Sequence, residues 1–224
     1  MTPDNIAHYL STHPEFFDQH PHLLTHVRVQ HPFEGRAISI TERQLLNLRE
    51  KNALLETRLA DFVRFGEEND QTAAKLHALA LDLIAAKDLP ELLAALYYHL
   101  QENFGLAHTY VRLWHIDQAL SECAPCEQSV IDWVQNMLHP QCGATLHPDA
   151  LNWLGENGEL LNSFATIPVR LQNITYGVLV LASKDAARFF PEMGTIYLQQ
   201  MGQLAAAALL RMFPDLSGCA STVN

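Results

Sequence analysis

The chain has 224 residues, with 14 Lys and Arg against 25 Asp and Glu, a net charge of -11 and a pI near 5.4. A nucleic-acid surface needs clustered basic side chains to neutralise phosphates, so this balance argues against one. No run approaches the roughly 18 to 20 apolar residues of a membrane span, and the first residues lack the pattern of a secretory leader. We therefore expect a cytoplasmic protein without membrane contact, whose four cysteines are reduced thiols or metal ligands.

The first 40 residues predict a small helical cap made of short pieces. Thr2 can cap a helix that has Pro3 at its first position, and further prolines restart the chain at Pro14 and Pro21. The few large apolar residues between them are too sparse for an independent core. We expect residues 1–40 to pack on the helix that follows or on another subunit.

A heptad ladder then dominates residues 41–86, a segment without proline. Apolar positions spaced alternately three and four residues apart predict one long helix that pairs in a coiled coil. The clearest part of the predicted dimer seam consists of Leu45, Leu48, Asn52, Leu55, Leu59 and Phe62. The ladder continues through Gly66, Asn69, Ala73, Leu76, Ala80 and Leu83.

Two defects in this ladder matter for the prediction. Asn52 occupies a seam position where a buried amide favours one parallel register. Gly66 and Asn69 weaken the middle of the seam. This weakness leaves open an alternative in which the helix breaks there and residues 68–86 fold back on residues 42–64.

Residues 87–213 predict a mixed α and β domain, with a flexible tail at 214–224. Helices are expected from Pro90 to Gly105, over 130–138 and over 192–212, with a strand at 109–116 and a loop at 152–162. The clearest β signal is a hairpin over 163–183, joined by Gln172 and Asn173. Pro168 cannot donate a ladder hydrogen bond, so its strand should be an edge or be bulged there.

This order of elements, with YGVLVLAS ending the hairpin and FPEMGTIYL leading into the last helix, resembles a GAF-type domain. Together with YLSTHPEFFDQHPHLL, RAISITERQLLNLREKN and SFATIPV, the chain resembles the bacterial domain-of-unknown-function 484 family. The resemblance implies an α+β fold, a GAF-like antiparallel sheet with flanking helices, behind a long coiled-coil helix and a short helical N-terminal region. Residues 183–192 lack the Asn and the Asp-Glu pair of the cyclic-nucleotide GAF motif, so that ligand is not implied.

GAF-like domains as a class bind small molecules or serve as dimerising sensors, and fold alone does not choose between these roles. Polar and aromatic residues on the predicted strands are candidates for lining a cavity: Tyr110, Arg112, Trp114, Ser163, Thr166, Arg170 and Tyr176. Arg112 and Arg170 are the best candidates for an anionic ligand, because a guanidinium on each of two adjacent strands can hold an anion. Each is also an ordinary strand residue by pattern.

Four residues have the spacing of a zinc site: Cys123, Cys126, His139 and Cys142. The pattern also fits a redox pair at Cys123 and Cys126, and the interpretation we favour is ordinary reduced thiols in or near the core. Five of the histidines precede proline, which is typical of caps and turns. The sequence contains none of the nucleophile-elbow, P-loop, dinucleotide or zinc-protease motifs, so we expect no catalysis.

These observations favour a noncatalytic homodimeric sensor or adaptor that signals through protein contacts, with the N-terminal region facing a protein partner and a small molecule in the cavity. No cofactor is identified. The alternative is a structural scaffolding dimer with a ligand-free core. A third hypothesis is a zinc or thiol protein built on the cysteine cluster.

Overall fold

The computed structural model of the protein describes residues 2–26, 28–30, 37–171 and 174–216. The chain divides into two compact units, an N-terminal unit, Met1–Glu68, and a C-terminal unit, Asn69–Asn224. The division lies inside the long helix, whereas the sequence predicted boundaries at residues 40, 86 and 213. The last third of that helix is therefore part of the C-terminal unit.

Three short helices open the N-terminal unit: α1 Pro3–Thr12, α2 Glu15–Gln19 and α3 Pro21–His26. Thr2 caps α1 as expected, because its hydroxyl accepts from the Asn5 amide at 3.4 Å. Strands β1 Arg28–Gln30 and β2 Ala37–Ser39 then form an antiparallel pair. The turn predicted at residues 33–36 lies outside the described residues.

The long helix α4 spans Ile40–Ala85 without interruption. It includes both Gly66 and Asn69, so the alternative of a break and a fold-back at this point does not hold. A single exposed glycine costs a helix only about 1 kcal/mol. On either side of Gly66, the Arg64 guanidinium lies 2.9 Å from the Glu68 carboxylate, one helical turn later. This ion pair supports a continuous helix at that point.

The C-terminal unit is built on a four-stranded antiparallel sheet in the order β3-β6-β5-β4. The strands are β3 His108–Leu113, β4 Gln141–Gly143, β5 Ser163–Leu171 and β6 Ile174–Ser183, and the helices are α5 Leu89–Tyr98, α6 Gln128–Gln135, α7 Pro148–Leu151 and α8 Ile196–Met212. The predicted α+β class is therefore confirmed. The connecting residues 172–173 of the predicted hairpin lie outside the described residues, but β5 and β6 pair directly, with Leu171 opposite Ile174.

Side chains alternate between two cores on opposite faces of the sheet. The larger core joins Ile167, Leu179 and Leu181 of the sheet to apolar residues of α5, α8 and the last turns of α4. The smaller core joins Phe164 and Val180 to α6, α7 and the turns that follow α7. The C-terminal unit therefore has three layers, with the sheet in the middle.

Pro168 shows how β5 accommodates a residue without an amide donor. It pairs with Val178 of β6, and a register shift follows between Val169 and Arg170. On the other side, β4 pairs only with Phe164 to Thr166 and ends before Pro168. Pro168 thus lies beyond the short neighbouring strand and beside a bulge, as its missing N–H requires.

Differences from the predicted elements are local. The expected loop over 152–162 contains 3-10 turns over Asn152–Leu160, directly after α7. His147 caps α7 and Pro148 occupies its first position, which explains helical turns where the glycines and asparagines predicted a loop. The last helix begins at Ile196 rather than near 192. Of the predicted tail, Leu216 is buried, and residues 217–224 lie outside the described residues.

Polar contacts hold the end of α4 within the C-terminal unit. The ring nitrogen Nε2 of buried His99 lies 2.7 Å from the Asp82 carboxylate, and Nδ1 lies 2.6 Å from the Asn103 amide. His99 begins a π-helical turn that continues α5. Arg211 of α8 donates to the carbonyls of Leu83 and Ala86 at the C-terminus of α4. The two Arg211 hydrogen bonds satisfy carbonyls that a helix end leaves without partners.

Candidate functional site

The predicted cavity residues lie on or beside three adjacent strands but do not share one face. Tyr110 and Trp114 pack with the smaller core, whereas Tyr176 is buried in the larger core. Thr166 is buried opposite Val180 in the β5–β6 pair. The structure therefore does not bring all seven side chains to a common cavity, and these site assignments stay predictions.

Several of these residues have their polar atoms engaged by the chain itself. The indole Nε1 of Trp114 donates to the Thr175 carbonyl at 2.8 Å. The Ser163 hydroxyl, fully buried, donates to the Asp185 carbonyl at 2.6 Å. Such pairing is what burial of a polar atom requires. These two residues position the polypeptide around them.

Arg170 illustrates the same point for a charged group. Its guanidinium donates to the carbonyls of Val134, Gln135 and Met137 at 2.5 to 3.0 Å, and its Nε donates to the Thr175 hydroxyl at 2.7 Å. Val134 and Gln135 end α6, so Arg170 caps the C-terminus of that helix, where a positive charge is favoured. Burial lowers the pKa of Arg170 below its usual value. These hydrogen bonds use the N–H donors of the guanidinium that the sequence predicted to bind an anionic ligand.

Arg112 is placed differently. One guanidinium nitrogen donates to the Ser121 carbonyl at 2.6 Å, and the group lies 5.2 Å from the ring centre of Trp153. This is a cation–π arrangement, in which the ring face attracts the cation. Arg112 is half-buried beside a polar cluster that the sequence did not predict.

That cluster consists of Tyr97, Ser121 and Glu122. The Tyr97 hydroxyl donates to one carboxylate oxygen of Glu122 at 2.9 Å, and the Ser121 hydroxyl donates to the other at 2.7 Å. Burial and the Glu122 hydrogen bond raise the pKa of Tyr97. Burial alone would raise the pKa of Glu122, but hydrogen bonds from Ser121, its own amide and Tyr97, with the charge of Arg112, bring it below its ordinary value. Tyr97 occurs on an apolar helix face, so periodicity gave no signal for this contact.

The three cysteines of the zinc-like pattern pack against two different cores. Cys123 and Cys142 pack at the edge of the larger core, and Cys126 packs at the edge of the smaller one. Within the described ranges, no group of three or more His, Cys, Asp or Glu side chains is arranged to hold a metal ion. Burial raises the pKa of all three thiols, and the neighbouring Glu122 and Glu127 carboxylates raise those of Cys123 and Cys126 further. This environment disfavours the reactive thiolate.

The predicted dimer seam lies on the N-terminal unit and is exposed in the single chain. Leu48, Leu55, Leu59 and Phe62 are 62 to 72% exposed, and Leu45 is 49% exposed. The Asn52 amide donates to the Glu56 carboxylate at 2.9 Å on the same helix. In contrast, Leu76 and Leu83 of the same ladder are buried in the larger core. The ladder therefore changes its environment along the helix.

A groove of about 490 Å³ lies in the C-terminal unit, between α4 and α8. Its lining is mainly apolar and consists of Ala73, Leu76, His77, Ala80, Leu171, Gln200, Gln203, Leu204 and Ala207. None of the seven predicted cavity residues lines it. In the part of the chain that the structure describes, no helix has the length and apolarity needed to cross a membrane.

Three comparisons relate this chain to known proteins, and one of them identifies its family. The chain is 25% identical over 229 residues to the uncharacterized protein YigA of Salmonella typhimurium, an alignment that covers 92% of this chain and 90% of that protein. The crystal structure of the GAF domain of the potassium sensor histidine kinase KdpD from Escherichia coli is similar, with a TM-score of 0.37 and 17% identity, covering 66% of this chain and 99% of that one. The family model for the protein of unknown function DUF484 matches residues 1–214. That match confirms the resemblance found in the sequence, and the chain belongs to the DUF484 family.

Proposed function

We propose that the protein is a noncatalytic homodimeric adaptor in which α4 joins two copies. The observation that carries this proposal is the row of exposed apolar side chains from Leu45 to Phe62. Six heptad positions carry five large apolar residues, each about half or more exposed in the single chain. An apolar stripe of this length on a soluble helix marks a surface that another helix covers.

The second copy is the partner that best fits this stripe. The spacing alternates between three and four residues, so two identical helices can interlock along it. Asn52 faces Asn52 when two such helices run parallel and in register, and the amides can then hydrogen bond across the seam. Both features are properties of one helix meeting its own copy.

In the C-terminal unit, the contacts of the predicted strand residues favour an adaptor role over ligand binding at those residues. Trp114, Ser163 and Arg170 have internal hydrogen-bond partners, and the sheet is covered by apolar layers on both faces. The exposed Ile6 and Tyr9 of α1 provide a surface for a protein partner. The dimer would present two copies of that surface.

Sedimentation equilibrium of the full chain at micromolar concentration tests the proposal. The double variant Leu55→Glu, Leu59→Glu places four carboxylates in a dimer seam. Each of the four buried leucines contributes about 1.5 kcal/mol or more, so the Kd of the dimer should rise by about four orders of magnitude. The variant should therefore sediment as a monomer.

The matched control is Ala53→Glu, Thr57→Glu, which adds the same charge on exposed positions of the same two turns, outside the seam. It should remain dimeric. Circular dichroism of both variants checks that the C-terminal unit remains folded. A wild-type chain that is monomeric at these concentrations, or a control that dissociates as completely as the seam variant, would refute the proposal.

A further inference from the structure

A second, polar groove of about 300 Å³ lies where β3 begins and β6 ends. Its lining consists of residues 105–108, residues 182–185 and Arg188. His108 and Ala182 are paired across the two strands, so the sheet itself forms one side of the groove. The segment after β6 supplies the other side.

Hydrogen bonds hold the backbone of that segment in one conformation. Buried Ser163 donates to the Asp185 carbonyl, and the Asp185 carbonyl also accepts from the Arg188 amide at 3.2 Å, which closes a turn. The Asn162 amide donates to the Lys184 carbonyl at 2.8 Å. Lys184 and Arg188 therefore flank a turn whose shape is set before any ligand arrives, and such preorganisation lowers the entropy lost on binding.

The groove concentrates positive charge in a chain of net charge -11. Lys184, Arg188 and His108 line it, and the Arg188 guanidinium is oriented by donating to the Phe104 carbonyl at 2.9 Å. Lys75 lies 5.8 Å from the ring centre of that same Phe104. Lys75 is outside the lining, so the basic side chains of the groove come from β3 and from the turn after β6.

These cations lack carboxylate partners in the described chain. No Asp or Glu oxygen of the described residues lies within 4.0 Å of a charged nitrogen of Lys75, Lys184 or Arg188. Asp185 is the acidic residue in the lining, and its Oδ1 accepts from the Ala187 amide at 2.9 Å. The groove therefore offers positive charge and N–H donors to an external anion.

We infer that this groove binds a small molecule through a phosphate group. A phosphate presents several acceptor oxygens and close to two negative charges, which suits a guanidinium, an ammonium and an imidazole that approach from different elements. A volume near 300 Å³ is at the small end of ligand sites, so the ligand is a small phosphate ester. The acidic remainder of the chain repels long polyanions.

This inference is independent of the adaptor proposal, because every lining residue belongs to the C-terminal unit and none lies on the seam. If both proposals hold, the protein is a sensor and the groove is its ligand-binding site. Either one can fail without the other.

Isothermal titration calorimetry of the full chain with phenyl phosphate and inorganic phosphate, at constant ionic strength, tests the inference. Benzoate provides a carboxylate of similar shape, and vesicles containing phosphatidic acid provide a lipid phosphate. We expect saturable binding of phenyl phosphate with a Kd of about 1 mM or tighter, and weaker binding of inorganic phosphate. Lys184→Ala and Arg188→Ala should each weaken phenyl phosphate binding about tenfold or more.

The matched control is Lys87→Ala, which removes one exposed charge from the same unit outside the groove. It should bind like the wild type. Because Arg188 also contacts Phe104, Lys184→Ala is the variant that separates binding from folding, and its thermal unfolding should match the wild type. Absence of saturable binding, equal binding of benzoate, binding to vesicles only, or equal weakening by Lys87→Ala would each overturn the inference.

Discussion

Arginine residues in this protein show how one residue type takes several roles. Arg170 and Arg211 cap helix C-termini, Arg112 lies on an indole ring, and Arg188 lines a polar groove. Residue type and strand position made Arg112 and Arg170 equivalent in the sequence. Only the acceptors around each guanidinium distinguish a structural arginine from one that can meet a ligand.

Arg170→Ala should lower the free energy of unfolding by about 3 kcal/mol, because three carbonyls near the end of α6 lose a charged donor. Arg170→Lys should recover less than half of this loss, since an ammonium cannot span the same acceptors. Urea unfolding followed by circular dichroism measures both. Arg64→Ala, which removes an exposed ion pair, is the control and should change stability by about 0.5 kcal/mol or less. A loss of stability for Arg170→Ala as small as that of Arg64→Ala would contradict the capping role.

The three described thiols should react slowly with alkylating reagents. Their pKa values are raised, so at pH 7 to 8 a smaller fraction is thiolate than in an ordinary cysteine. In a Cys219→Ser background, labelling by iodoacetamide should be slower than that of glutathione under the same conditions and should accelerate as the pH rises. Full unfolding in urea should abolish the difference. Faster labelling in the folded state would indicate an activated thiol and revive the redox hypothesis.

At the scale of elements, close packing of α8 on the sheet depends on a glycine. A Cβ on Gly202 would overlap the Pro168 carbonyl oxygen and lie 2.9 Å from a methyl group of Ile167. The helix can therefore approach β5 only because position 202 has no side chain. The same strand carries the proline and the bulge, so one short stretch of β5 combines a missing donor, a register shift and a close helix contact.

Gly202→Ala should destabilise the protein by about 2 kcal/mol even though alanine has the higher helix propensity, because the overlap with backbone outweighs a gain of about 1 kcal/mol. Gly194→Ala is the matched control, since an added Cβ there meets no atom within 4 Å. It should leave stability within about 0.5 kcal/mol of the wild type. Thermal and urea unfolding provide the comparison. An unchanged Gly202→Ala protein would mean that α8 can move away from β5 at little cost.

At the scale of the whole molecule, one helix serves two units in different ways. In the N-terminal unit the ladder residues of α4 are exposed, whereas in the C-terminal unit Leu76 and Leu83 are covered by the chain's own core. The seam predicted over 41–86 therefore has apolar residues available to a partner mainly in its first half. The second half of the ladder stabilises the fold of the subunit.

Leu83→Ala and Leu59→Ala should separate these two uses. Leu83 is 1% exposed, so its truncation should lower the free energy of unfolding by about 2 to 5 kcal/mol and leave the dimer Kd unchanged. Leu59 is 64% exposed, so its truncation should weaken the dimer and leave monomer stability nearly unchanged. Sedimentation equilibrium and urea unfolding on each variant give the two quantities. Equal weakening of the dimer by both substitutions would show that the seam continues through the C-terminal unit.

The sequence by itself determined the features that depend on local periodicity and backbone chemistry. The heptad spacing predicted α4, two β-rich runs joined by a two-residue connection predicted the β5–β6 pair, and the missing N–H of Pro168 predicted a bulge or an edge. Each of these patterns involves residues that are close together in the sequence. They can therefore be recognised without knowing how the elements pack. The family was likewise evident from contiguous motifs.

Tertiary structure alone decided what the polar and ladder residues contact. Arg170 meets carbonyls that lie 33 to 36 residues earlier, and Tyr97 meets a carboxylate 25 residues later. Neither separation along the sequence corresponds to a helix or strand period, because such contacts depend on how strands and helices pack after they form. The same reason explains why a uniform heptad ladder divides into an exposed half and a buried half.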